Sequence, residues 1–192
     1  LDPGFAAAHG ELADLLHHSY QQPERAVSHW RAADEGLDRM PEKERLLLRL
    51  KRAHRSPTLE HFSRDDALRL GEEILARFPD DKFAVTSAAE AFESFELQAR
   101  SEQGLRRALE LDPGYFWAAD SLADWLADRP AKALEVARNA VATRRSPANL
   151  SILAGALRAT GDDSSAGSTA REVLRGDGGR NSLIASRACD TL

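Results

Sequence analysis

The sequence predicts an all-α chain built as a solenoid of about five antiparallel helix pairs, and three observations carry that expectation. A phrase returns: Leu1-Asp2-Pro3-Gly4-Phe5 opens the chain and Leu111-Asp112-Pro113-Gly114-Tyr115 repeats it, with Phe78-Pro79-Asp80-Asp81-Lys82-Phe83 as a looser copy. The step from Pro79 to Pro113 is 34 residues, a period that belongs to stacked helical hairpins. Within each period, apolar or small residues recur at spacings of three and four, which gathers them on one helix face.

The first hairpin pairs a helix over residues 6–21 with one over 24–39, their stripes being Leu12, Ala13, Leu16 and Ala26, Trp30, Ala33. Pro23 falls in the second helix's first turn, where its missing N–H costs little. The second hairpin, 41–79, is irregular. Its first helix holds Leu46, Leu47, Leu48, Leu50 and Ala53, which fit several registers, and Ser56-Pro57-Thr58 breaks it. Its second helix carries Ala67, Leu70, Gly71, Ile74 and Leu75, with Ser63 or Asp65 as N-cap. The third hairpin, 80–113, sets Val85, Ala88, Ala89 and Phe92 against Leu105, Ala108 and Leu109. The fourth, 114–145, sets Leu122, Ala123, Trp125 and Leu126 against Ala133, Val136, Ala137 and Ala140, with its turn shortened at Asp128-Arg129-Pro130. The fifth, 146–177, sets Leu150, Leu153, Ala154 and Leu157 against Ala166, Ala170, Val173 and Leu174, and Gly161-Asp162 makes the turn. Gly176-Asp177-Gly178-Gly179 ends it, glycine tolerating a left-handed backbone. A short helix over 181–190 either caps the last hairpin or opens a sixth repeat. The whole chain, 1–192, is read as a single domain.

Composition narrows the function classes. With 42% hydrophobic and 30% charged residues the chain is globular, and its net charge of -5 does not suit a general nucleic-acid or anionic-membrane binder. No apolar run approaches the roughly 20 residues of a membrane span. The single Cys189 rules out an internal disulfide framework and points to a reducing compartment, so a cytoplasmic location is expected. Leu1-Asp2-Pro3 reads as the tail of a preceding hairpin, and hence the chain as a segment of a longer protein.

Leu150, Leu153, Ala154, Leu157, Gly161, Ala166, Ala170 and Val173 fall in the slots of a tetratricopeptide repeat, and nearly the whole chain resembles that family. Gly71 departs from it by standing in a slot that is usually large and apolar. The resemblance implies a right-handed superhelix and a non-catalytic scaffold whose first helices line an inner groove for a protein or peptide partner. Opening phrases such as Met40-Pro41-Glu42-Lys43-Glu44-Arg45-Leu46 resemble repeat regions of bacterial signalling proteins, and the excess of arginine over lysine suits a GC-rich bacterial genome.

Carried onto this chain, the groove slots hold Gly10, Asp14, His17 and His18, then Phe83, Thr86, Glu90 and Glu93, then Trp117, Asp120, Asp124 and Asp128, then Ser151, Gly155 and Arg158. Glu90, Asp120, Asp124 and Asp128, flanked by Phe83 and Trp117, would suit a basic or mixed peptide with an apolar anchor. The lysines, asparagine and arginine that clamp a peptide carboxylate in some family members are absent: those slots hold Gly10 and Asp14, or Asp120 and Asp124. The alternative to a docking role is a spacer or self-association module, pairing through apolar surface around His9, Leu12 and Leu16 at an open end.

The remaining chemistry-bearing residues read as structural. Arg45, Arg49, Lys51, Arg52 and Arg55 form a basic helix face expected to pair with neighbouring carboxylates, since no aromatic interleaving accompanies them. His9, His17, His18 and His29 have no metal-ligand spacing, so no metal or other cofactor is expected. Asp80-Asp81 and Asp162-Asp163 sit where carboxylates cap helices rather than where they catalyse, and Cys189 has no partner base. No enzymatic activity is expected.

Overall fold

The structure, a computed structural model, describes residues 5–18, 22–55 and 62–176. Those residues form ten α-helices: α1 (Ala6–His18), α2 (Pro23–Glu35), α3 (Glu42–Arg55), α4 (Arg64–Arg77), α5 (Lys82–Glu93), α6 (Gln98–Leu111), α7 (Phe116–Trp125), α8 (Pro130–Thr143), α9 (Pro147–Ala159) and α10 (Asp163–Arg175). A short 3₁₀ turn, Leu37–Arg39, follows α2, and no strand occurs among the described residues. The predicted helix over 181–190, the break at Ser56-Pro57-Thr58, Gly178, Gly179 and Cys189 lie outside the described residues.

Two compact units, Leu1–Ser101 and Glu102–Leu192, divide the chain within α6. In the first, α1 packs on α2, α3 on α4, α1 on α3 and α3 on α5. The α3 register that the sequence left open is settled by packing on two sides. Leu46, Leu50 and Ala53 join Ala67, Leu70, Ile74, Ala84, Ala88 and Phe92 in one core, while Leu48 joins Ala13, Leu16, Ala26, Trp30 and Ala33 in another. Leu48 comes so close to α1 that a side chain on Gly10 would collide with its Cδ1. Gly71 serves a similar purpose, since a Cβ there would stand 2.8 Å from a ring carbon of the buried Phe92. The missing large residue of this slot is supplied by Phe92 from the next hairpin.

The sequence suggests a self-association surface around His9, Leu12 and Leu16 at one end. His9 and Leu16 are buried, and Leu12 packs against the core of the first hairpin.

In the second unit, α7 packs on α8 and α9, α8 on α9, and α9 on α10. Val141, Leu150, Ala154, Ala170 and Val173 make its core, with Leu153 and Leu174 against it. The recurring Asp-Pro-Gly phrase closes the turn into α7. Asp112 Oδ1 accepts the Gly114 N–H at 3.0 Å, and its Oδ2 lies 3.1 Å from the Arg144 guanidinium. The side-chain amide of buried Asn149 lies within hydrogen-bond reach of the Gly114, Ala140 and Arg144 carbonyls, at 3.1, 3.2 and 2.9 Å.

Helix starts follow the capping chemistry read from the sequence at Pro23, Ser63, Asp81 and Asp162, and Pro130, Ser146 and Pro147 add to it. Ser63, Asp81, Ser146 and Asp162 each accept a backbone N–H of the first turn, while Pro23, Pro130 and Pro147 occupy first-turn positions. Gly176 ends α10 at φ -74°, and Asp177, Gly178 and Gly179, the rest of the stretch expected to close the hairpin, lie outside the described residues. The Gly176 N–H donates to the Glu172 carbonyl.

Candidate functional site

In the first unit the row α1, α3, α5 brings together charges that lie far apart in sequence. Lys51 Nζ is 2.8 Å from Glu11 and 3.7 Å from Asp14. Arg55 bridges Asp14, at 3.4 Å, and Glu90, at 3.1 Å. Arg52 pairs with Asp34 and stacks on the Trp30 ring, its guanidinium carbon 5.9 Å from the ring centroid. These α3 cations therefore pair with their neighbours, as the sequence led one to expect. Glu90 is not an open acid: Arg55 holds it. Burial pushes its carboxyl above the ordinary range, outweighing the pull of Arg55 and Lys51.

Beside this chain of ion pairs lies a cavity of about 110 Å³, walled by α1, α3 and α5 together with Met40. Leu47, Leu48 and Leu50 supply much of its apolar wall, Phe83 stands at it with 49% of its surface exposed, and Glu90 and Arg55 contribute the charges. His54 is part of the same wall although only 8% exposed. Its Nδ1 sits 2.7 Å from the Leu50 carbonyl oxygen, one helical turn back, and its Nε2 is buried with no hydrogen-bond partner. Burial holds the imidazole neutral, lowering its pKa to about 4. In that tautomer Nδ1–H donates and Nε2 is a lone-pair acceptor.

Of the other predicted groove residues in this unit, Glu93 is exposed and does not line the cavity, while Gly10 and Thr86 are buried. The Thr86 hydroxyl is enclosed without a partner.

The second unit holds the rest. Trp117 is 51% exposed and meets Phe116 edge-on, with ring centroids 5.1 Å apart. Asp124 and Arg158 line a shallow trough between α7 and α9, floored by Ala123, Ala127, Gly155, Ala156 and Ala159. Nothing lies within 4 Å of where a Gly155 side chain would start, so the trough is open there. Desolvation by the surrounding protein raises the Asp124 carboxyl above its ordinary value. Asp120 is half-buried. Asp128 is exposed and lies 3.4 Å from Arg129, which in turn stacks on Trp125 at 4.5 Å. Ser151, expected in the groove, is buried and donates its hydroxyl to the Ala148 carbonyl.

Sequence reading missed two features. One is His54, because nothing local in the sequence marks a histidine whose ring the fold buries. His9 and His29 come from different helices, and their Nδ1 atoms are 2.8 Å apart. That is a hydrogen-bond separation between two imidazoles, and no group of three or more His, Cys, Asp or Glu able to hold a metal occurs among the described residues.

Paired helices stacked along the chain, with first helices adjoining one another within each unit, define an all-α helical-repeat fold of the tetratricopeptide type. The chain is similar over 97% of its length to the crystal structure of TTC0263, a thermophilic TPR protein of Thermus thermophilus, covering 98% of that chain with a TM-score of 0.67 at 18% identity. It is also similar to the crystal structure of the MamA protein, over 90% of this chain and 91% of that one, with a TM-score of 0.54 at 14% identity. No family model and no curated protein matches the sequence. At these identities the likeness is one of fold.

Proposed function

We propose that the chain is a non-catalytic protein-interaction module, part of a larger signalling or regulatory protein, that docks a peptide or partner domain on the first helices of its hairpins. One observation carries the reading. Three successive first helices, α1, α3 and α5, jointly wall an open apolar cavity with an exposed aromatic, Phe83, at its side and charged residues around it. Such a combination of apolar anchor site and polar rim is the anatomy of a docking surface. The second unit adds the trough at Asp124 and exposed Trp117, with Asp120 and Asp128 as further acids suited to a basic segment.

Affinity capture from a bacterial lysate tests this, using the full chain, its Phe83→Ala variant and its Asp120→Lys/Asp124→Lys variant. A partner retained by the parent and lost from either variant supports docking at that unit. Equal retention by all three moves the site elsewhere, and no specific partner under any condition overturns the docking reading.

A further inference from the structure

We propose that the α1–α3–α5 cavity seats one short aliphatic side chain of a partner protein, a leucine or isoleucine, with a neighbouring lysine or arginine of the same segment paired to Glu44. The inference rests on the docking reading above and names what that surface selects. Ala7, Met40, Leu47, Leu48, Leu50 and Phe83 give the cavity an apolar lining, so the group that fills it is apolar too. Size sets the kind of group. An engineered apolar cavity of about 150 Å³ takes a benzene molecule. At about 110 Å³ this one falls short of a phenyl ring or an indole and suits a branched aliphatic chain. Phe83, half-exposed at the cavity, is placed to pack on the part left outside.

Charge decides what stands beside that anchor. Lys51 is held by Glu11 at 2.8 Å and Asp14 at 3.7 Å, and Arg55 by Asp14 at 3.4 Å and Glu90 at 3.1 Å. These cations are already engaged. Glu44 lines the same cavity and has no ion-pair partner among the described residues. Lys43, its neighbour in sequence, lies 2.8 Å from Asp81 instead. Glu11, Asp14, Glu44 and Glu90 thus outweigh Lys51 and Arg55 around the cavity, and they still do when Glu90, whose carboxyl burial raises, takes up a proton. A cation beside the anchor meets this excess, whereas an acid there is repelled. Glu44 is only partly buried, so the pair is weak and salt-sensitive, and it selects the anchor's neighbour more than it adds affinity.

The test pans a phage-displayed library of random peptides against the full chain at low salt and titrates the enriched peptides by fluorescence anisotropy. Enriched sequences are expected to share a leucine or isoleucine with a lysine or arginine close by. Replacing the aliphatic residue by alanine should weaken binding about tenfold or more, the effect of burying such a side chain. Replacing the basic residue by glutamate should weaken it about threefold at low salt and not at high salt. That glutamate peptide should in turn bind Glu44→Lys better than the parent chain. Ser87→Trp, which fills the cavity from α5, should remove the preference for leucine over alanine. Glu44→Lys, at the partly exposed rim, keeps the charge swap readable if Ser87→Trp fails to fold. Aromatic or acidic anchors among the enriched peptides overturn the subsite, as does a charge swap without rescue or a leucine preference that Ser87→Trp leaves intact. If no peptide is enriched the subsite falls. A lysate partner still lost on Phe83→Ala then leaves the docking module standing, and the absence of both sinks the two readings together.

Discussion

Asn149 ties three backbone carbonyls from the start of the fourth hairpin, the end of α8 and the turn into α9 to one side-chain amide. Removing that amide takes away a side-chain donor, while the Ala140 and Arg144 carbonyls keep the Arg144 and Ser146 N–H groups, so Asn149→Ala is expected to cost about 0.5–1.5 kcal/mol in urea denaturation. A loss within about 0.5 kcal/mol would show that water or neighbouring N–H groups replace it. Gly71 and Phe92 form a comparable dependence across two hairpins. Gly71→Ala overpacks the ring by an expected 1–3 kcal/mol or so, and Phe92→Leu in the same chain should recover part of that loss, a non-additivity readable in a double-mutant cycle. His54 sets a pH dependence. Its folded pKa of about 4 lies below the ordinary 6.5, so below pH 6.5 the unfolded chain takes up a proton that the folded chain refuses. Stability should fall as pH drops from 6.5 toward 4, by roughly 3 kcal/mol from this group. The charges acting on it are Asp14 of α1 and Lys51 and Arg55 of its own helix. Urea midpoints for the parent and His54→Leu across that range check it: the variant's profile should be the flatter.

At the scale of elements, the hairpin turns reveal their kinship through hydrogen bonds rather than composition. The Leu97 N–H donates to the Phe92 carbonyl, and the Asp162 N–H to the Leu157 carbonyl, the same six-residue closure in each case. The residue before the donor is left-handed both times: Gly161 at φ 83° and Glu96 at φ 61°. Glycine adopts that conformation without a Cβ clash, whereas Glu96 carries one. Glu96→Gly is therefore expected to stabilise the third hairpin by about 1 kcal/mol, measured by thermal denaturation. The helix crossings make the opposite demand. Ala154 and Ala166 are fully buried, and Ala154→Leu or Ala166→Leu should destabilise the fifth hairpin by about 1–3 kcal/mol.

Within each unit, neighbouring hairpins share a core, as stacked repeats do. Val141 of α8 shares a cluster with Leu150 and Ala154 of α9 and with Ala170 and Val173 of α10. No helix among the described residues is long and apolar enough to cross a membrane. Much of the surface charge is spent on neighbouring helices: Arg77 pairs with Glu42, Arg145 with Glu172, and Arg100 with Glu72. Exposed pairs of this kind contribute little to stability individually. The weight of folding rests instead on the shared apolar clusters.

The helix pairs, their capping residues and most of the buried stripe were legible because each depends on residues three, four or about 34 positions apart. Periodicity and capping are local physics, and a single chain displays them. What only the tertiary structure decided depends on neighbours remote in sequence. Which α3 leucine meets which core, why Gly71 must be small, and that Glu90 is neutralised by Arg55, 35 positions away, all follow from how successive hairpins stack. The candidate site belongs to that second class. Phe83 and Glu90 could be picked by their repeat slots, but the partnerless Nε2 of His54 exists only because the fold buries the ring and the helix's own backbone takes its other nitrogen.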